Sequence, residues 1–374
     1  MQNHIRVGIN GFGRIGRSLF RLLYQHPNLE VTAINDLSDA RTLSHLLKYD
    51  SVHGQFPFEV SYNEEGILVD GKLFPLTSSS ELEDLRWSDF GVDTLIECTG
   101  QFKTEERLKQ HLNAGAKKVI LSVPPSDDSV KMIVLGVNDH VLEEDDIMIS
   151  NASCTTNNAA PMLKVIHDAF QVEQAYITTV HSYTSDQSLH DKPHRDLRRA
   201  RAATQSIIPT TTGAAKALTK IFPDLSNVIG GCGIRVPVPN GSLTDMTLNV
   251  KTSTSIEEVN ELFKKASENG LKGILQYSEI PLVSIDIVGN PYSCVFGAEI
   301  RAKRRYSELK DKGEDISFEE VLENVEHRDQ IDSNRKNSPL IQSEDAIKID
   351  NSNLSQQEQF DKILSLAKQK INQN

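Results

Sequence analysis

The stretch His4-Ile-Arg-Val-Gly-Ile-Asn-Gly-Phe-Gly-Arg-Ile-Gly16 decides the fold of the first part of the chain. Residues 4–10 predict a short buried strand, and the spacing of apolar side chains over residues 17–24 predicts a helix directly after the glycines. A second apolar strand, residues 29–35, ends in Asp36, which follows the last of these glycines by 20 residues. Strand, glycine turn, helix, strand and acid in this order predict the dinucleotide-binding unit of a parallel α/β sheet.

Three glycines of this stretch have physical roles in binding a dinucleotide. Gly11 permits a tight turn, Gly13 lets the backbone approach a pyrophosphate, and Gly16 lets the helix pack closely on the strand. The helix N-terminus offers free N–H groups to the phosphates. Asp36 can accept hydrogen bonds from ribose hydroxyls and favours NAD, although the hydroxyl of Ser38 leaves NADP as an alternative. A βαβ unit that binds no ligand is the other interpretation.

Two more apolar strands run into small residues. Residues 92–98 lead into Thr99-Gly100, and residues 118–122 lead into Val123-Pro-Pro. Such strand ends are typical of the ligand crevice at the carboxyl edge of a parallel sheet. Cys98 lies inside the first of these apolar runs, and we expect it to be a core residue.

Composition limits the classes of function. The chain has 374 residues, enough for two or three domains, and a formal net charge of −12, which argues against a nucleic-acid-binding surface. It contains no run of about 18 apolar residues that would span a bilayer. No signal peptide is visible at the N-terminus, and four widely separated cysteines predict neither a disulfide framework nor a metal site. These features predict a cytoplasmic protein.

A second group of residues suggests nucleophilic catalysis. Cys154 lies among small polar residues, and an apolar helical pattern over residues 161–170 follows it, so the thiol is expected at a helix start that lowers its pKa. The strand of residues 176–184 carries His181, and a thiol–imidazole pair gives a thiolate nucleophile and a proton shuttle. The alternative is that Cys154 is a small buried hydrophobic residue, as we expect for Cys232 and Cys294.

A basic cluster stands out in this acidic chain. Residues 182–205 contain four arginines, at 195, 198, 199 and 201, and Thr210-Thr-Thr-Gly213 and Arg235 follow. Guanidinium groups bind phosphate oxygens in a bidentate manner, so the cluster predicts a site for small phosphates. A solvated surface loop is the alternative interpretation.

These motifs together resemble one enzyme family, glyceraldehyde-3-phosphate dehydrogenase. The resemblance runs from about residue 4 to 298 and is carried by Gly8-Ile-Asn-Gly-Phe-Gly-Arg-Ile-Gly16, Ala152-Ser-Cys-Thr-Thr-Asn157, His181-Ser-Tyr-Thr184, Ile207-Ile-Pro-Thr-Thr-Thr-Gly213 and Arg235-Val-Pro. It implies an α/β fold with a Rossmann-type dinucleotide-binding domain over residues 1–151. An α+β catalytic domain with a mostly antiparallel sheet would follow over residues 152–298. Erythrose-4-phosphate dehydrogenase shares this framework and is the alternative within it.

The resemblance implies NAD-dependent, phosphorylating oxidation of glyceraldehyde 3-phosphate to 1,3-bisphosphoglycerate in a homotetramer. Cys154 would attack the aldehyde and His181 would move the proton, and inorganic phosphate would then release the acyl group from a thioester. The implied cofactor residues are Arg14, Ile15 and Asp36, with Ser122 beside them; Gly11, Gly13, Gly16 and Thr99 join them from the patterns above. Thr184, Arg235 and Arg198 would bind the substrate phosphate, and Ser153, Thr155, Thr212 and Gly213 would bind the attacking phosphate.

The resemblance changes near residue 298. The family's Trp-Tyr-Asp-Asn-Glu motif, whose asparagine holds the nicotinamide carboxamide, does not follow. Residues 299–374 instead predict a mostly helical segment that resembles the C-terminal part of bacterial cytidylate kinase, with Arg328, Asp332 and Arg335 at nucleotide-contacting positions. No GxxxxGK[ST] phosphate loop occurs, since Asp70-Gly71-Lys72 lacks the rest of the motif. Besides the dehydrogenase, two hypotheses therefore stay open: a non-catalytic NAD-binding fusion and, less favoured, a cytidylate kinase that phosphorylates CMP with ATP.

Overall fold

The computed structural model describes residues 4–298, and the helical segment predicted for residues 299–374 lies outside them. Six α-helices occur in the described residues: α1 Arg14–Leu23, α2 Ala40–Lys48, α3 Glu105–Asn113, α4 Cys154–Phe170, α5 Ala214–Ile221 and α6 Ile256–Glu268. The strands of this part are β1 Ile5–Asn10, β2 Leu29–Asn35, β3 Tyr49–Asp50, β4 Gly54–Gln55, β5 Val60–Asn63, β6 Gly66–Val69, β7 Lys72–Thr77, β8 Thr94–Glu97, β9 Lys118–Leu121, β10 Lys131–Met132, β11 Met148–Ser150, β12 Val172–Ser182, β13 Ile208–Thr210, β14 Ile229–Val236, β15 Ser242–Val250, β16 Leu275–Ser278 and β17 Cys294–Gly297.

The first sheet has nine strands in the order β10-β11-β9-β8-β1-β2-β7-β6-β5. The strands from β10 to β7 are parallel, and β6 and β5 continue the sheet as an antiparallel edge. One apolar core, which includes Phe20 and Leu47, packs α1 and α2 against the sheet, and a separate core with Leu108 and Trp87 packs α3. The predicted Rossmann-type domain is confirmed.

The glycine turn after β1 is compact for steric reasons. Gly11 has φ +91°, and a Cβ there would lie 2.8 Å from the backbone nitrogen of Thr99. A Cβ on Gly16 would lie 2.1 Å from the carbonyl oxygen of Gly11, so only glycine lets α1 pack this closely on the turn. Because the turn is so short, α1 begins at Arg14, three residues before the predicted start at residue 17.

The second sheet has the order β13-β14-β12-β15. β12 is parallel to β14 and antiparallel to β15, and β13 is antiparallel to β14. Two of the three pairings of this sheet are therefore antiparallel, in agreement with the predicted mostly antiparallel sheet. A separate two-stranded pair, β16 and β17, is parallel. The long helix α4 packs on these strands through a core that contains Leu163, Ile177, Leu218 and Phe263.

The predicted domain boundary, between residues 151 and 152, falls in the connection between β11, which belongs to the first sheet, and α4. The boundary itself stays a prediction. Within residues 4–298, no helix combines the length and the apolar character that crossing a membrane requires.

Candidate active site

Cys154 is the first residue of α4, the helix start that the sequence predicted. Ser153 caps this helix, because its Oγ accepts a hydrogen bond from the backbone N–H of Thr156 at 3.1 Å. The thiol therefore lies at the positive end of a helix of 17 residues, where the helix dipole favours an anion. The helix continues past Pro161, which was the predicted start of its apolar pattern.

The imidazole of His181 lies beside the Cys154 thiol, as a nucleophile–base pair requires. Sγ of Cys154 lies 3.3 Å from Nε2 of His181, although 26 residues separate the two in the chain. Nearby protein atoms desolvate the thiol and by themselves would raise its pKa, even though the side chain is reachable from solvent. The hydrogen bond and charge of His181 and the hydrogen bonds of Thr155 outweigh this, so the pKa of the Cys154 thiol is below its ordinary value.

The register of the second sheet brings His181 and Arg235 together. His181 is the last residue but one of β12, Arg235 lies in β14, and these two residues are direct partners in the parallel pairing. Ile208 of β13 pairs with Arg235 from the other side. Three separate segments of the sequence therefore meet at one end of this sheet.

Arg235 contacts the far side of the imidazole. Its Nη1 lies 2.8 Å from Nδ1 of His181 and 2.8 Å from the carbonyl oxygen of Ser182, which also lies 2.7 Å from Nδ1. An arginine only donates, so the Ser182 oxygen accepts from Arg235, from Nδ1–H, or from both. When Nδ1 donates to Ser182, Nε2 is free to accept a proton from the thiol, as a general base must.

A second arginine, Arg199, lies in the same electrostatic environment. Burial lowers the pKa of Arg235, and the charge of Arg199 lowers it further, while Cys154 and Asp186 oppose these effects. Arg199 donates to Asp186 at 2.6 Å and to the hydroxyl of Thr210 at 3.0 Å. Its side chain is only 17% exposed, so it is a fixed part of this cluster.

The sequence analysis had selected the neighbouring Arg198. Arg198 is exposed, and its backbone N–H donates to Asp196 at 2.9 Å. The charge of Arg199, and not that of Arg198, is among those that shift the pKa of Arg235. The sequence does not show which of two adjacent arginines in a loop binds a ligand. Only the contacts of the folded loop distinguish them.

The other predicted phosphate residues have varied settings. Thr155 is buried next to Cys154, and Thr184 is exposed three residues after His181. Oγ1 of Thr212 accepts from the N–H of Ala214 at 3.2 Å at the start of α5, whose N-cap, Gly213, has no side-chain cap. In the described part of the chain, neither Thr184 nor Thr212 makes a side-chain hydrogen bond to His181 or Arg235.

The carboxyl edge of the first sheet has the features of a dinucleotide crevice. Gly13 is the N-cap of α1 and supplies no side-chain cap, and a Cβ on it would meet no atom within 4 Å. The helix start therefore faces open space with free N–H groups. Asp36 is held there by the N–H groups of Phe12, at 2.7 Å from Oδ2, and Ser38, at 2.9 Å from Oδ1. The residues fit a dinucleotide.

The side chains around this crevice are available for a ligand. Arg14 makes only a long ion pair with Asp50, at 3.5 Å, and the apolar side chain of Ile15 is 58% exposed. Ser122 Oγ is buried, and among the described residues its one neighbouring polar group is the thiol of Cys98. Beside it, burial raises the pKa of the Cys98 thiol to about 12, in agreement with the predicted core role of that cysteine.

Sequence reasoning missed two polar residues at this edge. Asn10 and Glu97 end β1 and β8, and both side chains are buried. The available signal was a single carboxylate at the end of an apolar strand, Thr-Leu-Ile-Glu97, directly before Cys98-Thr-Gly. A buried charge in such a position needs several hydrogen-bond donors.

Comparison with known protein families gave three matches. The model described as "Glyceraldehyde 3-phosphate dehydrogenase, NAD binding domain" matches residues 5–105, and its C-terminal domain model matches residues 153–310. The cytidylate kinase model matches residues 296–369. The two resemblances predicted from the sequence are thus confirmed, in the same order along the chain.

Individual relatives agree with these matches. The glyceraldehyde-3-phosphate dehydrogenase of Geobacillus stearothermophilus is 50% identical over 295 residues, which are 79% of this chain and 88% of the relative. That of Thermotoga maritima is 50% identical over 297 residues, 79% of this chain and 89% of the relative. The Streptomyces coelicolor protein is 48% identical over 312 residues, 83% and 93% of the two chains.

Proposed function

We propose, because the chain belongs to the glyceraldehyde-3-phosphate dehydrogenase family, that it is an NAD-dependent, phosphorylating dehydrogenase of glyceraldehyde 3-phosphate. The observation that carries this proposal is the 3.3 Å contact between Sγ of Cys154 and Nε2 of His181 at the start of α4. The product is 1,3-bisphosphoglycerate. The neighbouring guanidinium groups of Arg235 and Arg199 supply the positive charge that phosphorylated reactants need.

Carbon–sulfur bond formation is the first step. Nε2 of His181 takes the proton of the Cys154 thiol, and the thiolate attacks the aldehyde carbon. The proton then passes from His181 to the aldehyde oxygen, which leaves a thiohemiacetal. The bound nicotinamide supplies the hydride acceptor, which no side chain of the protein can replace.

Oxidation and phosphate attack complete the cycle. His181 takes back the hydroxyl proton as the thiohemiacetal carbon loses its hydride, and a thioester remains on Cys154. An oxygen of inorganic phosphate attacks the thioester carbonyl, the carbon–sulfur bond breaks, and the acyl phosphate leaves. The departing sulfur is again a thiolate, which the helix start and His181 stabilise.

Phosphate binding falls to residues on both sides of the nucleophile. We assign the substrate phosphate to Arg235 and Thr184, and the attacking phosphate to Ser153, Thr155, Thr212 and Gly213. We add Arg199 to the phosphate residues because it is half-buried and its charge acts on Arg235, whereas Arg198 is exposed and contributes positive charge only.

The cofactor residues follow from the carboxyl edge of the first sheet. We assign the pyrophosphate to the N–H groups after Gly13 and the ribose hydroxyls to Asp36. Arg14, Ile15, Thr99 and Ser122 line the crevice. A carboxylate at the ribose position repels a 2′-phosphate, so NAD is the preferred cofactor.

The family also suggests an assembly and a location. We propose a homotetramer, for which we expect light scattering coupled to gel filtration to give a mass of four times 41.7 kDa. We propose the cytoplasm as its location.

The decisive experiment is a steady-state assay of the purified full chain. Glyceraldehyde 3-phosphate, NAD and inorganic phosphate are supplied, and formation of reduced nicotinamide is followed by absorbance. We expect turnover that requires phosphate and that is lost in Cys154→Ser, with Cys232→Ser as a matched cysteine control. Absence of turnover from folded, NAD-binding protein would contradict the proposal.

One observation favours a second candidate, a non-catalytic NAD-binding fusion. The cytidylate kinase match begins at residue 296, and the family's Trp-Tyr-Asp-Asn-Glu motif is absent from the sequence. This candidate predicts tight NAD binding, measured by titration calorimetry, with no hydride transfer. The same protein sample therefore separates the two candidates.

A further inference from the structure

A buried carboxylate at the carboxyl edge of the first sheet accepts four hydrogen bonds. Glu97, the last residue of β8, has no exposed surface. Its Oε2 accepts from Nδ2 of Asn10 at 2.6 Å and from Nε2 of His111 at 3.1 Å. Its Oε1 accepts from the backbone N–H of Thr99 at 2.7 Å and from the Thr99 hydroxyl. The catalytic steps described above do not use this group.

The orientation of Asn10 is fixed from outside the cluster. The backbone N–H of Ser79 donates to Oδ1 of Asn35 at 3.0 Å, so the Asn35 amide can only donate at its other end. That end, Nδ2, donates to Oδ1 of Asn10 at 2.8 Å. The remaining amide nitrogen of Asn10 therefore faces Glu97 as a donor.

The tautomer of His111 is fixed in the same way. The indole Nε1–H of Trp87 is a donor only, and it lies 3.2 Å from Nδ1 of His111. Nδ1 must accept, so the proton of the neutral imidazole is on Nε2, which points at Glu97. All of the surrounding groups thus present donors to the carboxylate.

The cluster joins the two sides of the cofactor crevice. Asn10 precedes Gly11, and its carbonyl oxygen accepts from the N–H of Cys98 at 2.7 Å. Gly11 packs so closely on Thr99 that a Cβ would lie 2.9 Å from the threonine methyl group. Glu97 bonds directly to Asn10 on one side and to Thr99 on the other, so it fixes their separation.

We propose that Glu97 is a positioning residue that sets the affinity for the dinucleotide. It acts through Thr99 and through Asn10, which orients the glycine turn, and does not itself touch the cofactor. Burial of a charge is costly, and an apolar residue of similar volume would fill the same space without that cost. The buried carboxylate instead provides a fixed geometry at the two strand ends where the dinucleotide binds. This inference rests on the proposed function, because it requires that the chain binds NAD.

Glu97→Gln tests the proposal with almost no change in shape. Turned toward Asn10 and His111, the new NH₂ group faces donors only. Turned toward Thr99, it faces the backbone N–H, and the Thr99 hydroxyl is the one group there that can accept from it. Each orientation therefore loses at least one of the four hydrogen bonds. We expect the Kd for NAD, measured by calorimetry on the full chain, to rise about tenfold or more. The KM for NAD should rise in parallel, while the KM for phosphate and the alkylation rate of Cys154 stay unchanged.

Trp87→Phe is the matched control. It removes the N–H at the outer end of the same cluster. The carboxylate of Glu97 still favours the proton on Nε2 of His111, so the four hydrogen bonds of Glu97 are expected to persist. We expect a lower Tm with an unchanged Kd for NAD. His111→Leu removes one donor to Glu97 and should raise the Kd about threefold to tenfold, which provides a second test if Glu97→Gln does not fold.

The outcomes separate this inference from the function on which it rests. If the unmodified chain does not bind NAD, the proposed function fails and this inference fails with it. If the unmodified chain binds NAD and Glu97→Gln binds it equally well, only the inference is overturned. The inference is also overturned if Trp87→Phe and Glu97→Gln lower the Tm by similar amounts and weaken NAD binding equally. The weaker binding would then follow from the loss of stability alone.

Discussion

At the scale of single residues, the pair Cys154 and His181 gives a pH-dependent prediction. Alkylation of the thiol by iodoacetamide requires the thiolate. Because the folded-state pKa of Cys154 is lowered, alkylation should persist to lower pH than for an ordinary cysteine and decline as pH falls through that lowered pKa. In His181→Asn, only Thr155 and the helix start oppose the effect of burial, which raises the pKa of Cys154. The pH at which alkylation is half-maximal should therefore move to a higher value. Turnover should fall about 10²–10⁴-fold.

Two of the other three cysteines do not obscure this measurement. Burial raises the pKa of Cys98 and that of Cys294 to about 12, so both thiols are unreactive near neutral pH. Cys154→Ser therefore gives the background rate of alkylation. His167→Asn removes a histidine of α4, away from His181 on β12, and is the control for loss of a histidine. An unchanged pH midpoint in His181→Asn would show that His181 does not stabilise the thiolate.

The two adjacent arginines give a paired prediction. Arg199→Gln removes a guanidinium that is fixed by Asp186 and Thr210, and we expect the KM for inorganic phosphate to rise about tenfold to a hundredfold. Arg198→Gln removes the same charge from an exposed position and should change that KM less than about twofold. Steady-state kinetics with varied phosphate measures both. Equal effects of the two substitutions would mean that only the net charge of the loop matters.

These residues also show what a sequence can predict about a site. The residue types and their neighbours were sufficient to select Cys154, His181 and Arg235, because few side chains can serve as nucleophile, base and anion ligand. The choice between Arg198 and Arg199 depends on the path of the loop. The partnership of His181 with Arg235 depends on the register between β12 and β14, which local sequence does not specify.

At the scale of elements, the start of α1 separates a structural glycine from a binding glycine. Ala at position 16 would place its Cβ against the carbonyl oxygen of Gly11, so Gly16→Ala should destabilise the fold by about 1–3 kcal/mol and weaken NAD binding as well. Gly13 has φ −68° and open space around it, so Gly13→Ala should change stability by less than about 0.5 kcal/mol.

The effect of Gly13→Ala should instead appear in ligand binding. Its new methyl group would occupy the space through which the pyrophosphate approaches the N–H groups of α1. Thermal melting and NAD titration on both variants distinguish the two roles. If Gly13→Ala binds NAD as tightly as the unmodified chain, Gly13 does not lie on the pyrophosphate path.

Elements were predicted better than their exact limits. The strands β1, β2 and β9 agree with the predicted ranges within one residue, because continuous apolar runs define buried parallel strands. The starts of α1 and α4 lie three and seven residues earlier than their predicted apolar patterns, at Arg14 and Cys154. The first turn of α1 has Ile15 as its one large apolar side chain, and that of α4 reads Cys-Thr-Thr-Asn, so a search for apolar spacing does not detect these turns.

At the scale of the whole molecule, the chain combines matches to two enzyme families. The structure describes the part that matches the dehydrogenase, whereas the part that matches the kinase is judged from its sequence. The dehydrogenase part forms a compact unit up to residue 298. The Arg328, Asp332 and Arg335 predictions, which concern the kinase-like part, lie outside the described residues. Kinase activity must therefore be judged from the phosphate loop that such an enzyme requires.

The segment whose sequence is most similar to that phosphate loop has a different structure. Gly66 and Gly71-Lys72 have the spacing of the first part of GxxxxGK[ST], but Leu73 stands where the motif needs a hydroxyl. These residues form the antiparallel hairpin of β6 and β7, in which Val69 pairs with Lys72. A phosphate loop must lead from a strand into a helix whose N–H groups surround the phosphates, and a hairpin turn offers no such set of donors.

We therefore expect no phosphorylation of CMP by ATP in the full chain. The measurement is CMP-dependent ADP formation by purified protein, compared with the same protein after heat denaturation and with a bacterial cytidylate kinase as the positive control. The dehydrogenase assay on the same sample shows that the protein is folded. ADP formation that requires CMP and is lost in Arg328→Ala would contradict this expectation, because the nucleotide-contacting positions would then be active with a donor site outside the known motif.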